Sequence, residues 1–152
     1  MDEVSTVRNG GMSMNDRYLY RAKRTDNGEW VEGHYITNEK DPNHAYIGYL
    51  FGVVDGMVHD TDIVEVIPST ICQCTGLKDK NGKLIWENDI VKRVDKRNIF
   101  REQPSMNCKV VWTYNYGFDT LPSCGYFDKS DRLECEVVGN IFDNPELLGV
   151  GL

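Results

Sequence analysis

QCTGLKDKNGKLIWENDIVKR, residues Gln73 to Arg93, reads as a β-hairpin that runs on into a further strand. Asp79-Lys80-Asn81-Gly82 supplies the turn, because Asn81 and Gly82 both tolerate the positive φ of a tight hairpin. Beyond it, period-two alternation sets Leu84 and Trp86 on one side and Lys83, Ile85 and Glu87 on the other. Glu87-Asn88-Asp89 makes a second turn, and Ile90 and Val91 open the next strand. The stretch holds no nucleophile, metal cage or phosphate loop.

The same grammar extends in both directions. Met1 to Asn15 is rich in Ser, Gly, Asn and Met, lacks periodicity, and is expected to be a disordered leader ending at about residue 16. Tyr18 to Ile36 alternates as a hairpin around Asp26-Asn27-Gly28. Thr37 to His44 reads as a polar loop. Ala45 to Val54 reads as a strand in which Gly48 and Gly52 mark bulges or bends. Asp55-Gly56 is a further turn signal, and Asp60 to Pro68 returns as a strand. Val94 to Asn107 is charged and poor in apolar residues, so it reads as an exposed loop or arm. Cys108 to Tyr114 is a strand, and Phe118 to Phe127 an edge or loop. Leu133 to Ile141 is the last strand. Asp143-Asn144-Pro145 starts a helical turn no longer than one turn, with Pro145 in first position.

TGLKDKNGKLIWENDIVK, with EVVGNIFDNPELL at Glu136–Leu148, resembles the YopX-like family of phage and prophage proteins. Tyr20 to Gly33 is similar to that family's first hairpin, and Ile67-Pro68-Ser69-Thr70 to its lead-in to the central segment. The likeness runs from about Tyr18 to Leu148. It implies SH3-like β-rolls, a phage or prophage origin, self-assembly, and no catalytic residues to carry over. The expected fold is therefore all-β: small SH3-like roll or barrel units built from hairpins, closed by a short C-terminal helical turn. Residues 17–150 form the β domain, readable as two packed rolls of about 17–70 and 71–150.

The chain has 152 residues, enough for one domain or two small ones, and 40% of them are hydrophobic, enough for a core. A formal charge of −7 disfavours duplex DNA as a partner of the whole surface, though not a local basic pocket. No apolar run reaches the roughly 20 residues of a membrane span, and no signal-peptide pattern is present. The expected setting is the cytoplasm of an infected or lysogenic bacterial host.

Five cysteines make an odd count. Cys72 and Cys74 are separated by one residue, whereas zinc sites usually need two to four, so reduced structural thiols are expected and no metal or cofactor is assigned. His34, His44 and His59 have no spacing that pairs them with the thiols. Asp60, Asp62 and Glu65 form an acidic cluster without a calcium-loop pattern, which reads as solvated charge. The serines lie in no nucleophile elbow, so the chain is read as a non-enzyme.

The cations have more shape. Arg17, Arg21, Lys23 and Arg24 gather in the first hairpin, and Lys92, Arg93, Lys96, Arg97 and Arg101 follow the central one. Arginine beside an aromatic ring can hold a nucleotide by phosphate contact and stacking. The candidate ligand residues are Arg21, Arg24, Trp86, Lys92 and Arg93. Two readings stay open. One is a non-enzymatic, self-assembling binding protein that captures a small anionic ligand, such as a nucleotide immune signal, in counter-defence. The other is an interaction module that binds and inhibits a host or phage protein, for example a nucleic-acid-processing factor.

Overall fold

The computed structural model describes residues 14–55, 57–94, 105–115, 117–122 and 134–149. Residues 1–13 of the expected leader, most of the expected arm (95–104, with Lys96, Arg97 and Arg101) and Cys124 lie outside them. Among the described residues ten strands form in order: β1 Tyr20–Lys23, β2 Trp30–Thr37, β3 Ala45–Val54, β4 Met57–Val66, β5 Cys72–Lys78, β6 Leu84–Trp86, β7 Asp89–Val94, β8 Ser105–Thr113, β9 Gly117–Leu121 and β10 Glu136–Asn140. Three short 3-10 turns complete the described structure: Met14–Tyr18, Pro68–Thr70 and Pro145–Leu148. Among the described residues no helix is long and apolar enough to cross a membrane.

The fold is all-β, as expected. One antiparallel sheet has six strands in the order β4-β3-β2-β1-β5-β6, and the other has four in the order β10-β7-β8-β9. Neither closes into a barrel among the described residues. The larger one curls into a roll, because an isolated bridge joins Arg24 to Val66. Beside it, Thr25 N donates to Glu65 O (3.1 Å) and Ile67 N to Lys23 O (2.8 Å). The end of β4 is thereby brought back to β1.

Turn chemistry sets the hairpins. Gly82 takes φ +79° after Asp79-Lys80-Asn81, and Asp79 N donates to Lys83 O at 2.8 Å. That is a three-residue hairpin loop with its glycine in the left-handed position. Only the glycine bears the positive φ; Asn81 instead donates its backbone N–H to Asp79 Oδ1 at 2.8 Å. Asn27-Gly28 divides the work in the same way, with φ +72° at Gly28 and Asn27 Oδ1 accepting from Glu29 N at 2.9 Å.

Alternation along β6 divides the interior. Trp86 packs with Cys72 and Cys74, flanked by Leu19, Trp30, Leu84 and Phe142. Ile85, on the opposite face, joins Val91, Cys108, Val110 and Cys135 in the core of the smaller sheet. A third cluster, Ala22, Ala45, Ile47 and Val66, fills the inside of the β1–β4 roll. Each cluster is small, so the links between them matter to the whole.

Three expectations are revised. β8 begins at Ser105, not Cys108, because Met106 packs on the same core as Cys108 and Val110 while Ser105 and Asn107 occupy the alternate positions. Polar residues on that alternate face hid the strand from the sequence. β4 likewise begins earlier than Asp60, at Met57. Gly52 does sit at a register shift, whereas Gly48 keeps its register, and a Cβ there would meet the movable end of the Ile36 side chain, Cδ1, at 2.7 Å.

Candidate functional site

One face of the six-stranded sheet carries most of the residues of interest. In register, β1 Arg21 stands opposite Glu32 of β2 and Cys72 of β5. Its guanidinium lies 4.7 Å from the Trp30 ring centroid and 5.3 Å from that of Trp86. Its Nη2 donates to Asp89 Oδ1. Asp89 opens β7 of the other sheet, is 1% exposed, and accepts Trp86 N at 2.8 Å through Oδ2. Burial pushes the Asp89 carboxyl above its ordinary value, against the opposing pull of Arg21. The arrangement is a joint between sheets, with a cation clamped between two indoles.

Beside it lies a second tie. Asp143, just before the last 3-10 turn, accepts from Lys23 Nζ, from Trp30 Nε1 (2.8 Å) and from Asn140 Nδ2 (3.0 Å). Those donors, Lys23 first, hold its carboxyl at about 2. A depressed carboxylate stabilises the fold fully above its unfolded value of about 4, and the contribution is lost as pH falls towards 2. Asp143→Asn should therefore lower the thermal midpoint at pH 7 by about 2–4 °C, equivalent to about 1 kcal/mol for a half-exposed group. The gap from wild type should narrow steadily below about pH 4 and be mostly gone near pH 2, where the wild-type carboxyl is half protonated. Thermal melts across pH 2–7 check it.

The five ligand candidates thus fall in three places. Arg21 and Trp86 come together, but in the joint, and Trp86 is 2% exposed, so it offers no face for stacking. Arg24 is bound bidentately by its neighbour Asp26, at 2.8 and 2.6 Å. Lys92 is exposed on β7, while Arg93 is buried and donates to Thr120 Oγ1 at 2.5 Å. Lys92 and Arg93 line a separate recess of about 140 Å³ with Lys80, Glu134 and Glu136. Sequence reasoning missed Lys78 and Lys83. They border the central turn and line a cavity of about 390 Å³ with Arg21, Glu32, Leu84 and Trp86. Their place on either side of an Asn-Gly turn was the signal that could have found them.

The other half of the same face is bare. His34 and Ile36 of β2, Tyr46 and Gly48 of β3, and Ile63 of β4 share it by register. Ile36 is 38% and Ile63 60% exposed. A groove of about 280 Å³ runs past His34, Ile36, Gly48, Thr61 and Ile63, and a second of about 520 Å³ shares both isoleucines with it. Two carboxylates at its margin are engaged locally: Tyr49 Oη donates to Asp62 Oδ2 at 3.0 Å, and Glu65 Oε1 meets His44 Nδ1 at 2.6 Å. Among the described residues no set of three His, Cys, Asp or Glu side chains is arranged to hold a metal. Cys72, Cys74, Cys108 and Cys135 are buried, and burial pushes the Cys74 thiol up to about 11.

The sequence profile of the family described as YopX protein matches residues 19–149, which include every strand above. The chain belongs to the YopX family. No curated protein matches the sequence. Among solved structures, protein EF1440 from Enterococcus faecalis is similar, with a TM-score of 0.55 and 24% identity over 85% of this chain and 96% of that one. At that identity the likeness is one of fold. The joint and the bare face both lie inside the YopX region.

Proposed function

We propose that this YopX protein is a non-catalytic interaction module whose partner, a host or phage protein, covers the bare face of β2–β4. One observation carries the reading: Ile36 and Ile63 stand side by side, exposed, across a glycine floor at Gly48. Contiguous exposed apolar surface bordered by polar residues is a mark of protein interaction sites. Burial of the two isoleucines would contribute about 3 kcal/mol or more to binding. Ile36→Glu with Ile63→Glu should therefore weaken the complex about 100-fold or more while leaving the circular dichroism spectrum unchanged. Partner recovered from cells expressing the chain, then titrated as purified protein against both forms, is the measurement. Equal affinity for both forms would reject the face.

The anionic-ligand reading keeps one supporting observation, the cavity bordered by Lys78 and Lys83. Arg21 lines the same cavity but is committed to Asp89, and Arg93 lies in a separate recess, so the two lysines are the side chains to alter. A thermal-shift series with mono-, di- and cyclic nucleotides separates the readings, because a ligand selective for the native state raises its midpoint.

A further inference from the structure

β4 lies at the end of the six-stranded sheet, and its two sides differ. One is paired with β3 from Met57 to Val66. On the other, the bonds from Thr25 N to Glu65 O and from Ile67 N to Lys23 O show that odd-numbered residues turn their backbone groups outward. β1 and its continuation satisfy those groups only as far as Glu65. Among the described residues no strand pairs with the outer side of β4 from Met57 to Ile63. Thr61 and Ile63 therefore present backbone donors and acceptors along an open edge. Natural edges are commonly blunted by lysine, proline or a bulge; MVHDTDIVEV has neither lysine nor proline, and its register shifts fall at Asp60, before Thr61 and Ile63.

We propose that this edge takes an extended segment of the partner protein as an added strand, and that the segment alternates basic with apolar residues. The inference rests on the reading of β2–β4 as a protein-binding surface and supplies its mode. Backbone pairing would give affinity, and alternate side chains would give specificity. Ile63, Ile36 and the groove they line accept apolar side chains of the added strand. Charge selects the rest. Asp62 is exposed on β4, and Asp60 stands two positions before it.

A second copy of the chain is a poorer occupant. Antiparallel pairing of two β4 edges must set odd residues opposite odd and even opposite even. Every register centred on residues 60 to 62 then places a carboxylate opposite a carboxylate, which destabilises a strand pair. Both copies would also carry the same −7 charge. A strand with lysine or arginine at those positions meets the carboxylates instead.

The probe is a fluorescein-labelled peptide of alternating lysine and valine, titrated by anisotropy at about 0.15 M salt so that distant charges are screened. The expected result is saturable binding, at least tenfold weaker for a peptide with glutamate in place of lysine. Thr61→Pro removes one outward N–H without changing charge or the bonds to β3, and should weaken binding at least tenfold. An N-methylated peptide with the same side chains makes the same test from the other side, should Thr61→Pro fail to fold. No binding, or equal binding by the N-methylated peptide, overturns the proposal, since charge alone would then explain any signal. A halving of the mass by light scattering in Thr61→Pro, with peptide affinity unchanged, also overturns it and assigns the edge to a second copy. Failure of the peptide, with partner binding still lost in the Ile36→Glu and Ile63→Glu form, overturns the edge mode alone.

Discussion

Asp89→Ala is expected to lower folding stability by about 3–5 kcal/mol, because it leaves the Arg21 guanidinium buried without its counter-charge. The carboxylate is also the acceptor for Trp86 N, so the same change leaves a buried backbone N–H unpaired. Arg21 sits between two tryptophans that cannot withdraw without opening the cluster of Cys72, Cys74 and Trp86. Urea denaturation of Asp89→Ala, Arg21→Leu and the double replacement Arg21→Leu with Asp89→Leu forms a cycle. The double form should be less damaged than the sum of the singles by about 2 kcal/mol or more, since it removes both charges together. Additive losses would mean the two side chains act separately and the joint is not a unit.

Asp79→Ala should cost about 3–4 kcal/mol, close to the first effect and by a different route. Its buried carboxylate accepts from Asn81 N (2.8 Å) and Lys83 N (2.9 Å) through Oδ1, and from Val137 N (3.0 Å) through Oδ2. Hydrogen bonds to a charged group contribute about 1.5–3 kcal/mol each and are not additive when they share a side chain. One residue thus shapes the central turn and ties β10 to it. Asp79→Asn separates the two roles: its oxygen can keep the turn, while its amide faces the Val137 N–H. Amide hydrogen exchange should accelerate at Val137 in Asp79→Asn, and at Asn81, Lys83 and Val137 together in Asp79→Ala. Unchanged protection at Val137 in both forms would contradict the tie.

The strand pattern was largely legible in the chain because its causes are local. Glycine at positions 28 and 82 sets two turns by its freedom at positive φ. The period of two alone separates Leu84 and Trp86 from Ile85, as the two core clusters do. Pro145 in first position was enough to mark the closing turn. Where an alternate face was polar, as at Ser105 and Asn107, the same rule under-read the strand.

What covers each face was decided only by tertiary structure. Period two separates Lys92 from Arg93, yet it cannot say which one meets solvent; Arg93 shares the face of Val91, which packs in the core of the smaller sheet, and is buried, while Lys92 is left out. Arg21 reads in the sequence as a hairpin cation open to a ligand, and its partner lies 68 residues away. An ion pair of that separation depends on how two sheets meet, and neither residue's neighbours carry that information. Ile36 and Ile63 look like any strand isoleucines for the same reason. Among the described residues Phe142 and Asp143 cover Trp30, whereas Ile36 and Ile63 on the same face stay exposed. The alternation of a strand records two faces, and only the rest of the fold chooses which of them is left bare.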